Sequence, residues 1–222
     1  MNFDESYLVK VNKITYSIFF IFFLGYLATL QYRPYLFSYI VKIIPILSLS
    51  FIAFLNIDGI RGKLIVAGLL LSATGDVFLA ISGKGYFIFG LSFFAAAHVV
   101  YILALFREPV LKRRRSIITV VFLLYGLIIG YFIVPNLQRL QIPVSIYIVL
   151  LILMGISAVA GRNNHYLVIV GAALFIISDS IIAFNMFLMK ISNSSFWIMV
   201  TYYPAQFLIT KGVLKTGENV NS

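Results

Sequence analysis

Seven acidic residues occur in the chain, and only Asp76 and Asp179 fall inside long apolar runs; Asp4, Glu5, Asp58, Glu108 and Glu218 lie in connections or tails. A carboxylate at bilayer depth costs on the order of 2.5–3.5 kcal/mol to insert, so an intramembrane aspartate is a functional candidate by default. Two carboxyls in different environments can divide acid and base roles between them. The same runs hold Lys42, Ser72, His98, Tyr101, Asn185, Tyr202, Tyr203 and Gln206. Ser72 lies four residues before Asp76, on the same helix face. His98 and Tyr101, three apart, also share a face, and Tyr202 and Tyr203 precede Gln206 by four and three residues. Pro45 and Pro204 cannot donate to the carbonyls of Val41 and Val200. Freed carbonyls at membrane depth are tolerated where they line a cavity or find a neighbour. Each residue also has an ordinary reading: helix–helix hydrogen bonding for the aspartates and His98, an aromatic belt for the tyrosines, snorkelling or charge neutralisation for Lys42.

Helix rise converts position into depth. Asp76 lies roughly 9 Å below the outer end of its run, Asp179 roughly 15 Å, and Lys42, Tyr202 and Tyr203 roughly 10 Å, with His98 near the midplane. All fall in one slab of the outer half of the membrane. The expectation is that Asp76 and Asp179 face each other across a central cavity opening toward that side.

The elements that must position them are membrane spans. Of 222 residues, 62% are hydrophobic and 11% charged, against about 25% charged in a soluble domain. The apolar residues come in runs near 14–30, 36–55, 64–81, 86–106, 116–134, 142–160, 166–189 and 196–210. A crossing needs roughly 20 residues, so the chain reads as a single all-α membrane domain, a polytopic bundle of about eight spans. Short connections make sequential helices antiparallel and packed. The first run lacks a small-residue cleavage site and reads as a retained helix. Residues 217–222 read as a frayed tail.

Twelve of the 17 basic residues fall on the side that carries both termini, four on the other, and Lys42 within a span. By the positive-inside rule both termini are cytoplasmic, and an even number of spans agrees. The cluster from Lys112 to Arg115 reads as a topology anchor, with an anionic-lipid site as the sharper alternative. The net charge of +10 thus serves orientation and lipid headgroups and not nucleic acid. With no cysteine, disulfides and thiolate chemistry are excluded. Motifs of the G-x-S-x-G, H-E-x-x-H and Walker kinds are absent from the sequence, and His98 and His165 differ too far in depth for a good metal site.

The third and seventh runs share a pattern. Gly68-x-x-Leu71-x-x-x-x-Asp76 matches Gly171-x-x-Leu174-x-x-x-x-Asp179 at an offset of 103 residues. A four-plus-four parallel repeat about an axis along the membrane normal would make the two aspartates equivalent.

The stretches 72–79 (SATGDVFL), 97–101 (AHVVY), 171–183 (GAALFIISDSIIA) and 202–206 (YYPAQ), in this order, resemble the YhhN family, which includes the transmembrane lysoplasmalogenases. Lys42-x-x-Pro45 departs from the adjacent Lys and Pro more usual in that family. The resemblance covers the chain from about Leu36 onward. It implies eight spans, catalytic aspartates at Asp76 and Asp179, and cofactor-free hydrolysis of the vinyl ether of a lysophospholipid, lysoplasmenyl-ethanolamine or -choline. The implied location is a bacterial inner membrane, where plasmalogens are often lacking. Protonation of the vinyl ether β-carbon gives an oxocarbenium ion, water adds, and the hemiacetal collapses to a fatty aldehyde and a glycerophospho-base. Glycosidases meet a related demand with two carboxyls. A proton-coupled transporter or exporter of a small or lipid-like substrate would also use paired intramembrane aspartates, while a non-enzymatic lipid-binding protein would need neither.

Overall fold

The computed structural model describes residues 5–221 except 34, 36, 82, 83, 108–112 and 163, and gives backbone alone for 5, 84, 113, 114 and 217–221. The expected start of the second span at Leu36, and Asp4, Glu108 and Lys112, lie outside the described residues. Among those described there are eight α-helices and no strand: α1 (Glu5–Thr29), α2 (Ser38–Asn56), α3 (Gly59–Ala80), α4 (Lys84–Leu105), α5 (Arg113–Ile133), α6 (Gln141–Ala160), α7 (Tyr166–Phe187) and α8 (Ser194–Asn221). Helices α1 to α7 are long and apolar enough to cross a membrane. The eighth is long but less apolar, because it turns polar side chains inward: Tyr202, Tyr203, Gln206 and Thr210 are all buried. The protein is a multi-pass integral membrane protein.

Two ends differ from expectation. Helix α1 begins at Glu5 and not near residue 14, and α8 runs on to Asn221, through the segment read as a frayed tail. Hydropathy marks where apolar surface ends, whereas a helix continues as long as its own i→i−4 bonds form. In α8 the extension is also held by Thr216, whose hydroxyl donates to the carbonyl of Gly212 and accepts from the amide of His165. His165 itself caps α7, its Nδ1 accepting from the amide of Leu167.

Packing is densest within α3–α4 and α7–α8, the pairs related by the 103-residue offset. Helix α4 then packs on α6, as α8 packs on α2. This is the arrangement that a parallel repeat requires. It also corrects the expectation that all sequential neighbours pack closely, since α4 packs mainly on α6 and at most weakly on α5. Arg61 donates to Asn164 Oδ1 at 2.5 Å, joining two positions themselves 103 residues apart. The Asn164 amide in turn donates to the carbonyls of Leu105, Ser157 and Ala158, which closes the ends of α4 and α6. Of the basic cluster, Arg115 is described, and it donates to the carbonyl of Gly161 at 2.6 Å.

The paired glycines show why both halves share a motif. A Cβ on Gly68 would lie 2.5 Å from the Tyr101 ring, and one on Gly171 would lie 2.8 Å from the Ala205 carbonyl oxygen. At both positions the missing side chain lets α3 meet α4, and α7 meet α8, at close range. The same close approach brings the aspartates, two turns further along, against the opposite half. Apolar side chains such as Leu24 on α1 and Leu127 and Tyr131 on α5 face outward, as a lipid-facing surface requires.

Candidate active site

Asp76 and Asp179 line one cavity of about 300 Å³ at the end of the bundle opposite both termini. Lys42, Tyr202 and Asn185 line it too, together with Arg33, Ser178, Ser194 and Ser195 and an apolar wall that includes Phe78, Phe87, Phe94 and Met199. All five helices that build it (α2, α3, α4, α7 and α8) carry residues or motifs picked out above. Ser72, His98, Tyr101, Tyr203 and Gln206 do not line the cavity; they are buried behind it.

Asp76 sits in a fixed polar cradle. Lys42 Nζ lies 2.8 Å from its Oδ1, with both side chains buried, and the same ammonium donates to the Asp76 carbonyl at 3.3 Å. Tyr202 donates to Oδ2 at 2.7 Å. Behind Tyr202, Gln206 Nε2 reaches its hydroxyl at 3.5 Å, and Tyr101 donates to Gln206 Oε1 at 2.8 Å. Tyr203 donates to the backbone carbonyl of Lys42 at 2.7 Å and so pins the start of α2 to α8. Lys42 is thus committed to neutralising Asp76 within the membrane. Ser72 Oγ is buried on the same face of α3, behind the cavity and close to Tyr101.

Asp179 has a different setting. Tyr147 donates to its Oδ2 at 2.5 Å, and His98 Nε2 lies 3.6 Å from the same oxygen and 3.1 Å from the Tyr147 hydroxyl. The His98 ring is held edge-on against Phe175, and Phe175 edge-on against Tyr202, so one aromatic side chain separates the two polar groups. Among the described residues no lysine or arginine pairs with Asp179. One carboxylate therefore has a fixed cation, and the other has a phenol and an imidazole. Each is served across the repeat boundary: Asp76 by Tyr202 of the second half, Asp179 by His98 of the first.

Asn185 has a double position. It lines the cavity, but its Oδ1 accepts from the amide of Ile191 at 3.0 Å, which makes it the clasp of the α7–α8 turn.

Sequence reasoning missed Tyr147. It is a lone tyrosine in an aliphatic stretch of α6, Ser145 to Leu151, and tyrosine at that depth needs a hydrogen-bond partner. The 103-residue offset carries Lys42 to position 145, two residues away. Extending the repeat from the third and seventh spans to the second and sixth would have pointed to this segment. Arg33, one of the four basic residues on the side opposite the termini, also lines the cavity.

A second, narrow and almost wholly apolar crevice adjoins the cavity and shares Leu79, Phe87, Phe94, Asp179 and Ile182 with it. It runs between α4, α5, α6 and α7, past Leu91, Ile129, Tyr147, Ile148 and Leu151. Asp179 stands where the polar and the apolar space meet.

The YhhN family model matches residues 37–213. Bovine lysoplasmalogenase TMEM86A is 36% identical over 165 residues, which cover 70% of this chain and 67% of that protein. The lysoplasmalogenase of Mycobacterium tuberculosis is 35% identical over 162 residues, covering 69% and 61%. Human lysoplasmalogenase TMEM86B is 30% identical over 186 residues, covering 81% and 76%. No solved structure matches. The matched stretch runs from the start of α2 through the buried part of α8 and contains both aspartates and every cavity residue named here except Arg33, and on that ground the chain belongs to the YhhN family.

Proposed function

We propose that this chain, a multi-pass membrane enzyme, hydrolyses the vinyl ether of a lysoplasmalogen with Asp179 as general acid and Asp76 as the ionised partner. The observation that carries the reading is the pairing of two buried aspartates on one cavity in unlike settings. The names of the similar proteins supply the substrate class. The Lys42 ammonium and the Tyr202 hydroxyl both stabilise a carboxylate at Asp76. Among the described residues Asp179 has no lysine or arginine beside it, and in this scheme it is the carboxyl that carries the proton to be donated.

In this scheme Asp179 protonates the β-carbon of the alkenyl group. The ether oxygen's lone pair forms the C=O⁺ bond of the oxocarbenium ion, whose charge faces the Asp76 carboxylate. Water adds to the cationic carbon, and Asp76 takes its proton. The hemiacetal then breaks its bond to the glycerol oxygen, which picks up that proton, while the hemiacetal hydroxyl gives its own proton to the Asp179 carboxylate and becomes the carbonyl of a fatty aldehyde. Tyr147 and His98 are placed to hold Asp179 as it regains this proton. The lysolipid's ethanolamine or choline headgroup points out of the cavity mouth.

The test uses purified protein with three lysolipids of one chain length: vinyl ether, alkyl ether and acyl ester. Aldehyde should appear from the vinyl ether alone, because only that substrate forms the oxocarbenium ion by carbon protonation, and turnover should slow in heavy water. Absence of aldehyde, with aspartate-dependent proton flux in vesicles, would replace the hydrolase by the transporter.

The proposed setting is a bacterial inner membrane with both termini cytoplasmic, from the twelve-to-four distribution of basic residues. The cavity then opens to the non-cytoplasmic side. A reporter fused at the carboxy terminus should signal from the cytoplasm, and one inserted beside Lys84 should not; a cytoplasmic signal from Lys84 would reverse the orientation.

A further inference from the structure

Arg33 follows the turn Leu30–Tyr32 that ends α1, and among the described residues it is one of two cationic side chains on the aspartate cavity. The other, Lys42, is taken by Asp76. Among the described residues Arg33 has no carboxylate partner. Its guanidinium lies 5.8 Å from the centre of the Tyr26 ring, a wholly buried aromatic face that holds it by cation–π attraction. Its Nε is buried and has no hydrogen-bond acceptor among the described residues. An unsatisfied donor on a charged group is costly to bury. Such a group at the rim of a cavity is explained when a ligand brings the acceptor.

The chemistry of the acceptor follows from the fork. A guanidinium offers parallel N–H donors matched to two oxygens of a phosphate or carboxylate. The cavity already holds two carboxyls, so a third carboxylate is disfavoured at its centre, whereas a phosphodiester at the rim meets the cation that Asp76 leaves unpaired. The apolar crevice begins on the far side, at Asp179. A phospholipid with one chain spans this layout: chain in the crevice, sn-1 linkage between the aspartates, phosphate at the rim. Five bonds separate the sn-1 oxygen from phosphorus, so the two ends of the glycerol serve both places at once.

We propose that Arg33 is the residue by which this site recognises the phosphodiester of its lysolipid, fixing the substrate with its chain toward α5 and α6 and its headgroup at the mouth. The proposal rests on the hydrolase reading above and adds the orientation and the phosphate requirement to it.

The experiment compares Arg33→Gln and Arg33→Lys on two substrates of equal chain length, an alkenyl-glycerophosphoethanolamine and the alkenylglycerol that lacks the phosphate. For Arg33→Gln, KM for the phosphorylated substrate should rise on the order of 10- to 100-fold, the value of a hydrogen bond to a charged group, with kcat nearly unchanged. Its kcat/KM for the alkenylglycerol should stay at the wild-type value. Arg33→Lys should fall between, keeping the charge and losing the fork. The phosphate-free arm also reports folding, because a misfolded variant loses both substrates. Equal loss on the two substrates in either variant would show that Arg33 serves the fold, and equal retention would show that it touches neither; both overturn the proposal. Failure of the wild type to release aldehyde from either substrate would instead count against the hydrolase reading.

Discussion

Asp76→Asn and Asp179→Asn should each reduce aldehyde release by about 10²–10⁴, the contribution of a positioned acid or base. Asparagine keeps the shape of each side chain, and at Asp179 it still accepts from Tyr147 through its carbonyl oxygen. Substrate binding should survive in both variants, since apolar surface holds the chain. The loss should therefore appear in kcat with KM nearly constant, as when an interaction made in the transition state is removed. Because the two carboxyls act in one reaction, the double variant should be little worse than the more damaged single one. The measurement is aldehyde release from the vinyl-ether lysolipid by wild type, two single variants and the double. Near-normal turnover in both single variants would falsify the two-carboxylate mechanism.

Lys42→Met should destabilise the protein by about 3–5 kcal/mol, the cost of removing one member of a buried ion pair. The charge on Asp76 would then lose its cation and keep the Tyr202 hydroxyl as its remaining side-chain donor among the described residues. Adding Asp76→Asn to Lys42→Met removes that orphan charge and should restore most of the stability. It should not restore turnover, because the carboxylate is gone. Thermal unfolding of the wild type, the two single variants and the double, in one detergent, closes the cycle. If Lys42→Met unfolds at the wild-type temperature, the ion pair does not hold α2 to α3, and Lys42 has some other task. The cycle also separates support from chemistry: recovered stability with no turnover shows that the double variant folds around a disabled site.

The run lengths, the scarcity of charge and the polarity of the connections determined the helices, because in lipid an unpaired backbone amide is prohibitively costly and only closed hydrogen-bonding patterns cross. The same cost singled out Asp76 and Asp179 from composition alone. Lys42, Tyr202, Tyr203 and Gln206 were legible for a related reason: polar side chains at depth must find one another. The repeat of glycine and aspartate in α3 and α7 was visible as spacing, and so was the equivalence of the two helices.

Partnership was not legible. Lys42 goes to Asp76 and not to Asp179, and Tyr147, on a helix that had shown no chemistry, donates to Asp179. Spacing along one helix fixes which residues share its face, but not which face of another helix it meets. That choice depends on the long-range order in which α4 packs on α6 and α8 on α2, which crosses the middle of the chain. Asn185 looked like a site residue and turned out to clasp a turn as well as line the cavity, because a side-chain carbonyl serves a backbone amide as readily as a ligand. Arg33 looked like one more loop charge until the end of α1 was placed beside the cavity. The ends of α1 and α8 were missed because helicity outlasts hydropathy. The sequence by itself determined what must be buried, through the cost of polar groups in lipid; the tertiary structure alone decided who meets whom, because those contacts span up to 161 residues and arise only when helices distant in sequence pack.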